Sequence, residues 1–210
     1  MQAIILSRRD FREADQIIAL YTKEKGKIEV LARGVKKITS KNSAHLEPFS
    51  LVDVEIIPGK ELNHLGTVQP INYFINIRND LQKSLAAGYI VDLLAKITHE
   101  GEKDENIFSL TLGWLEFVNS FQLTAFSLQL VDGYIVKLLN CLGFGIVEVD
   151  NLSLEIKKGL EVFKTGEWKT VLEYRIQNIE YQKLHKYIYE FIISQLERKV
   201  GDWQKVLTKF

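Results

Sequence analysis

The 210-residue sequence predicts an α+β chain in two parts, a five-stranded β-barrel over residues 1–78 and an all-α helical bundle over residues 79–210. Apolar residues alternate with a period of two through the first 75 or so positions, then recur every three or four from Asp80 onward. The period changes near residues 77–80 without any low-complexity linker, which sets the expected boundary there.

Residues 2–7 and 15–22 are β-rich runs of strand length. Lys23-Glu24-Lys25-Gly26 makes a tight reversal in which Gly26 is free to take positive φ. In residues 27–33, Ile28 and Val30 alternate with Lys27 and Glu29, as a half-buried strand requires. Residues 50–57 place Val52, Val54 and Ile56 on one face and Asp53 and Glu55 on the other. Pro58-Gly59 suits the centre of a type II turn, and residues 62–68 form the fifth strand. The break at residues 34–48 has room for a basic loop and one short helical turn. Five strands interrupted after the third is the order of an OB-fold barrel, and an SH3-like barrel or a sandwich fragment gives much the same pattern.

In the second part, Leu81, Leu85, Tyr89, Leu93 and Ile97, with Ile90 and Leu94 beside them, make an amphipathic stripe. Asp104 is placed to cap a second helix running through Val118. A third is expected over residues 123–142, stopped by Gly143-Phe144-Gly145. Residues 148–163 read as partly helical, with Gly166 as a stop. The last helix carries Leu184, Ile188, Phe191, Ile192, Leu196 and Val200 and is expected to run almost to the end of the chain.

Composition narrows the function. The single cysteine, Cys141, leaves no disulfide framework and no four-thiolate zinc site within one chain. No apolar run approaches the roughly 18–20 residues that span a bilayer. The first residues are charged too early for a signal peptide, so a cytoplasmic protein with no membrane partner is expected. No phosphate-binding glycine loop is present, since Gly143-Phe144-Gly145 lacks the following glycine and lysine. His45, His64, His99 and His185 are scattered without metal-ligand spacing. The polar run from His99 to Glu105 reads as a solvated loop, and Cys141 as a small side chain on an apolar stripe. No catalytic residue, no metal and no cofactor is expected.

The signal that does stand out is positive charge. Overall the chain is neutral, but residues 1–78 hold 12 Lys+Arg against 9 Asp+Glu, a net of +3, and the remainder is −3. Arg33, Lys36, Lys37 and Lys41 fall within nine residues, with no acidic residue from Val30 to Ala44. Arg8, Arg9 and Arg12 form a second cluster after the first strand. If the first and third strands are neighbours, both clusters line one groove, where neutralising phosphates releases condensed counterions. An ordinary solvated loop would carry the same residues. Tyr21, Phe49, Tyr73 and Phe74 are candidates for stacking on bases, although each taken singly suits the core or an interface better.

The residues themselves resemble a family. Arg8-Arg9-Asp10-Phe11-Arg12-Glu13-Ala14-Asp15 is similar to the opening of the RecO family, in which a strand leads to R-D-(F/Y)-x-E-(A/S)-D. Gly26-Lys27-Ile28, then Ala32-Arg33-Gly34-Val35-Lys36-Lys37, resembles that family's G-K-(ILV) and A-(R/K)-G-(VA)-(RK)-(RK) segments. Leu46-Glu47-Pro48-Phe49 resembles its L-(Q/E)-P-F segment, in the same order. Many members carry a four-cysteine zinc module after an L-G-F segment. Here Leu142-Gly143-Phe144 is followed by no cysteine through Leu172, so zinc is not expected.

The resemblance implies a DNA repair and recombination mediator without catalytic turnover. It implies binding of single- and double-stranded DNA, annealing of complementary strands, and, with RecR, loading of RecA. It further implies contact with the C-terminal tail of single-stranded DNA-binding protein (SSB) through the helical part, and a place at the nucleoid. Its DNA contacts map to Arg33, Lys36, Lys37 and Lys41. From another class, a protein-binding adaptor built on an OB- or SH3-like barrel fits the same sequence.

Overall fold

The computed structural model describes residues 1–37, 40, 42–121, 127–146, 152–196 and 200–207. The chain divides into two compact units, Met1–Ser120 and Phe121–Phe210. Five strands, β1 (Gln2–Asp10), β2 (Gln16–Thr22), β3 (Gly26–Ala32), β4 (Leu51–Ile57) and β5 (Asn63–Asn72), close into a barrel in the order β1-β2-β3-β5-β4. A 3-10 turn, Ser43–His45, supplies the expected helical turn between β3 and β4. This is the OB arrangement. Every strand pair is antiparallel except β3–β5, and β4 closes the barrel by pairing Leu51, Val52 and Asp53 with Ile4, Ala3 and Gln2. The condition under which both basic clusters would line one groove is not met: β2 lies between the first and third strands and pairs with each as an antiparallel hairpin.

The alternation read in the sequence is what fills the barrel. Ala3, Ile5, Ile18, Leu20, Ile28, Val30, Val52, Val54 and Val68 form its interior, while Asp53 and Glu55 stay exposed. Gly26 takes φ +65° in the β2–β3 turn. The turn at Pro58-Gly59 differs from expectation, because Gly59 lacks the positive φ that a type II turn needs. Glycine is required there for space instead: a Cβ would lie 1.9 Å from the Leu62 carbonyl oxygen.

The outer face of β1 and β2 is buried too. Ile4, Leu6, Ile17, Ala19 and Tyr21 are at most 4% exposed, and helix α2 (Leu81–Ile97) packs on β1. Between Asn72 and α2 lies a single helical turn, α1 (Ile75–Arg78). Helix α3 (Glu105–Ser120) completes this unit, capped by Asp104 Oδ1, which accepts from the backbone of Asn106 at 2.7 Å and Ile107 at 3.4 Å. The C-terminal half of the expected stripe is buried, with Ile90, Leu93, Leu94 and Ile97 all at most 8% exposed; at its start Leu81 is instead 60% exposed, and Ala86, Ala87 and Val91 join the buried face. Lys27 explains much of this docking. Its ammonium donates to the carbonyls of Ala95 and Thr98 at the C-terminal end of α2, where helix carbonyls lack partners. The Gly101 amide returns a bond of 2.9 Å to the Lys27 carbonyl.

The second unit holds α4 (Gln129–Cys141), α5 (Leu154–Thr165), α6 (Trp168–Glu173), α7 (Asn178–Gln195) and α8 (Trp203–Leu207). Helix α4 starts later than the expected position 123, and residues 123–126 lie outside the described residues, as do residues 148–151 of the expected helix before α5. The stop at Gly143 is a Schellman cap, with φ +79° and Phe144 N donating to the Leu139 carbonyl at 2.8 Å. The last long helix ends at Gln195 instead of continuing through Val200. Tyr189 Oη donates to the Val200 carbonyl at 3.2 Å, and α8 follows.

Asp132, fully buried on α4, organises this unit. It accepts from Tyr181 Oη at 2.6 Å and Trp203 Nε1 at 2.9 Å, and its Oδ1 lies 2.9 Å from His185 Nδ1. The other face of the imidazole meets Asp202 Oδ1 at 3.2 Å. Burial alone would push the His185 pKa down, but the bonds and charges of Asp132 and then Asp202 outweigh it and hold it above the ordinary value.

Three outcomes follow for stability. Lys27→Met, which keeps the aliphatic stem, should cost about 1.5–3 kcal/mol in urea unfolding through the lost charged bonds. Asp132→Ala, which strands buried donors, should cost about 3–5 kcal/mol. Because the folded pKa of His185 is raised, its contribution is present below the unfolded value of about 6.5 and lost as pH rises through the folded one. The difference in urea midpoint between wild type and His185→Gln should therefore be largest below about pH 6.5 and shrink as pH rises above it.

Candidate nucleic-acid interface

A groove of about 360 Å³ opens at one end of the barrel. Phe11 and Arg12 reach it from the β1–β2 loop, Leu31 and Arg33 from the end of β3, and Lys60, Glu61, Leu62 and His64 from the β4–β5 connection and the start of β5. The parallel pairing that sets Leu31 opposite His64 brings these pieces together. In OB barrels the β1–β2 and β4–β5 loops beside strands 2 and 3 bind oligonucleotides and oligosaccharides.

The loop that presents Phe11 is closed by its own backbone. Phe11 N and Arg12 N donate to the Asp15 carbonyl at 3.1 and 3.5 Å, and Asp15 N donates back to the Arg12 carbonyl at 3.3 Å. Two carboxylates then bind this loop to the segment after β3. Asp15 Oδ1 accepts from Gly34 N at 2.7 Å, and Asp10 accepts from Lys36 Nζ at 2.7 Å and Gln16 Nε2 at 2.9 Å. The bond from Lys36, then that from Gln16, holds the Asp10 carboxyl below its usual range. Lys36 N adds a bond to the Ala14 carbonyl at 3.0 Å. The R-R-D-F-R-E-A-D and A-R-G-V-K-K segments, twenty-odd residues apart, thus meet in space.

The basic residues divide by what they touch. Arg8 pairs with Glu47 at 2.7 Å, Arg9 with Glu29 at 3.0 Å and Lys36 with Asp10 at 2.7 Å. Arg8 and Arg9 are consecutive on β1 and point to opposite faces, so they do not join the groove as a pair. Arg12, Arg33, Lys37 and Lys60 are exposed and in no ion pair among the described residues. Arg33 Nη2 lies 3.4 Å from His64 Nε2, and the Nδ1 of that ring is buried with no hydrogen-bond partner among the described residues. Lys41 lies outside the described residues.

The aromatic expectations meet a different outcome. Tyr21 and Phe74 are fully buried and Phe49 is 7% exposed, so none presents a face to a base. Phe49 carries the Arg78 guanidinium 4.2 Å from its ring centre, and that guanidinium also donates to the Tyr73, Pro48 and Ser50 oxygens. Tyr73 is half-buried with its hydroxyl bonded to His45 Nδ1. The exposed aromatic at the groove is Phe11, with the Arg12 guanidinium 5.1 Å from its ring centre. Sequence reasoning passed over Phe11, Lys60 and His64. Their shared signal was position, the two loops that an OB barrel brings to one end.

Among the described residues, no group of three or more His, Cys, Asp or Glu is arranged to hold a metal ion, and no helix is long and apolar enough to cross a membrane.

Comparison with known proteins places these features. Residues 1–74 match the model of the Recombination protein O N-terminal domain, and residues 78–151 that of its C-terminal domain. A protein named DNA repair protein RecO from Desulforamulus reducens is 34% identical over 118 residues, 56% of this chain and 46% of that protein. The protein of the same name from Alkaliphilus metalliredigens is 26% identical over 75% of this chain and 68% of its own length. The one from Roseiflexus is 31% identical over 70% of this chain and 54% of its own length. The match spans about half the length of the first and third of these relatives.

The Asp15–Gly34 bond can be tested alone. Asp15→Ala should leave the far-UV circular dichroism of the barrel unchanged while trypsin cleaves after Lys36 and Lys37 several-fold faster, on the order of the loss of one charged hydrogen bond.

Proposed function

The chain belongs to the RecO family of DNA repair proteins, and on that premise we propose that it is a non-catalytic, DNA-binding mediator of repair and recombination. In this reading the barrel, residues 1–78, binds single- and double-stranded DNA and holds complementary strands for annealing. The helical part, residues 79–210, takes the C-terminal tail of SSB, and the protein acts with RecR to help load RecA onto SSB-coated strands. It works in the cytoplasm at the nucleoid and needs neither zinc nor any other cofactor.

The observation that carries the reading is the groove, where Arg12, Arg33 and Lys60 converge free of ion pairs at the end of the barrel that binds oligomers in this fold. Charge-neutralised cations elsewhere on the barrel contribute less, since a phosphate must first displace a carboxylate from Arg8, Arg9 or Lys36.

A titration of labelled DNA at several salt concentrations tests it. If Arg12, Arg33, Lys37 and Lys60 each neutralise one phosphate, log affinity should fall against log salt with a slope of about −2.8 for single strands and about −3.6 for duplex. Arg33→Glu with Lys60→Glu should weaken binding to all sequences alike and flatten the single-strand slope by about 1.4. Lys158→Glu, in the second unit, should leave the slope near wild type. A protein-binding adaptor would show no salt-sensitive affinity for DNA at all.

A further inference from the structure

Resting on the DNA-binding reading above, we propose that the groove receives one unpaired base stacked on Phe11, and that Phe11 thereby sets the preference for single-stranded over duplex DNA. The placement of this ring is unusual for the barrel. Tyr21, Phe49 and Phe74 are withdrawn into packed surroundings, yet Phe11 is 43% exposed with Arg12 already lying over it. Its exposure does not come from a loose loop, because two backbone bonds to the Asp15 carbonyl fix its position and Asp15 is itself held by Gly34. The backbone that carries the ring is therefore placed before any ligand arrives, which lowers the ordering cost of binding.

The surroundings fit a nucleotide. At about 360 Å³ the groove lies at the small end of the roughly 300–1,000 Å³ that small-ligand pockets occupy. That leaves room for one base with its sugar. Arg33, just after β3, and Lys60, in the β4–β5 connection, line the same groove from segments separate from the one that carries Phe11, and are available to the phosphates flanking a stacked base. Glu61 and the His64 ring add polar groups of the kind that hydrogen-bond to a base edge. A duplex offers phosphates to the same cations but keeps the faces of its bases inside its own stack. Only an unpaired base can use the Phe11 ring.

The test compares wild type, Phe11→Ala and Phe11→Trp on three probes: a single-stranded oligonucleotide, the same sequence as duplex, and an abasic strand of equal length. Phe11→Ala should lose about five- to 150-fold in affinity for the single strand, the effect of one base–aromatic stack. It should bind duplex and the abasic strand like wild type, with an unchanged salt slope, since no charge is removed. Phe11→Trp should restore single-strand affinity, and its added fluorescence should be quenched by the single strand and not by the abasic one. Equal losses on all three probes would overturn the proposal and make Phe11 a support for the loop. Unchanged single-strand binding by Phe11→Ala would overturn it as well, while leaving the DNA-binding reading intact. Wild type that binds none of the probes would overturn that reading, and this proposal with it.

Discussion

The candidate site depends on one short piece of parallel pairing. Val30 and Leu31 of β3 lie beside Asn63 and His64 of β5, and these are the paired residues of the two strands. Parallel strands need a crossover, and here residues 33–62 provide it by running through the 3-10 turn and β4 before returning. The crossover closes the barrel and, in the same step, sets the end of β3 against the β4–β5 connection. Arg33 and His64, 31 positions apart, come within 3.4 Å for that reason. The β1–β2 loop is then fixed to the same end by Asp10 and Asp15. Loss of the parallel pair would scatter the groove even if every antiparallel hairpin survived.

Those two aspartates also show what the family-like segments do physically. Asp15 satisfies the Gly34 amide, and Asp10 neutralises Lys36. Lys27, in the G-K-I segment, caps α2. A motif that reads as basic, and hence as a ligand surface, thus spends part of its charge on holding its own loops. A count of Lys and Arg along the chain does not separate the cations that are held from those that are free.

That limit explains what the sequence made legible. Period-two alternation is a direct consequence of a strand with one face in a core, so β3 and β4 and their inward residues were readable from Ile28, Val30, Val52 and Val54, whereas β1 and β2, buried on both faces, read only as apolar runs of strand length. The capping role of Asp104 was readable because it is local. The widening of the buried face of α2 to Ala86, Ala87 and Val91 was not, since Ile4 and Leu6 on the outside of β1 require a cover that no period within α2 announces. Asp132 was hidden for the same reason. A carboxylate inside an apolar helix, with donors from residues 49, 53 and 71 positions away, has no local signature.

The aromatic residues carry this reasoning furthest. In sequence, Tyr21, Phe49 and Phe74 stand beside strands, where a base-binding ring is expected. The packing buries all three, and two of them, Phe49 and Phe74, sit at positive φ. A ring enclosed by its surroundings is not available to a ligand. Phe11 is the reverse case: its backbone is bonded at both ends of a closed turn while its ring remains in solvent. Rigidity of the backbone with exposure of the side chain is the combination that binding favours, because the ordering entropy is already lost and the apolar surface is still to be buried. On that physical ground the proposed base contact falls on the loop and not on the strands it joins.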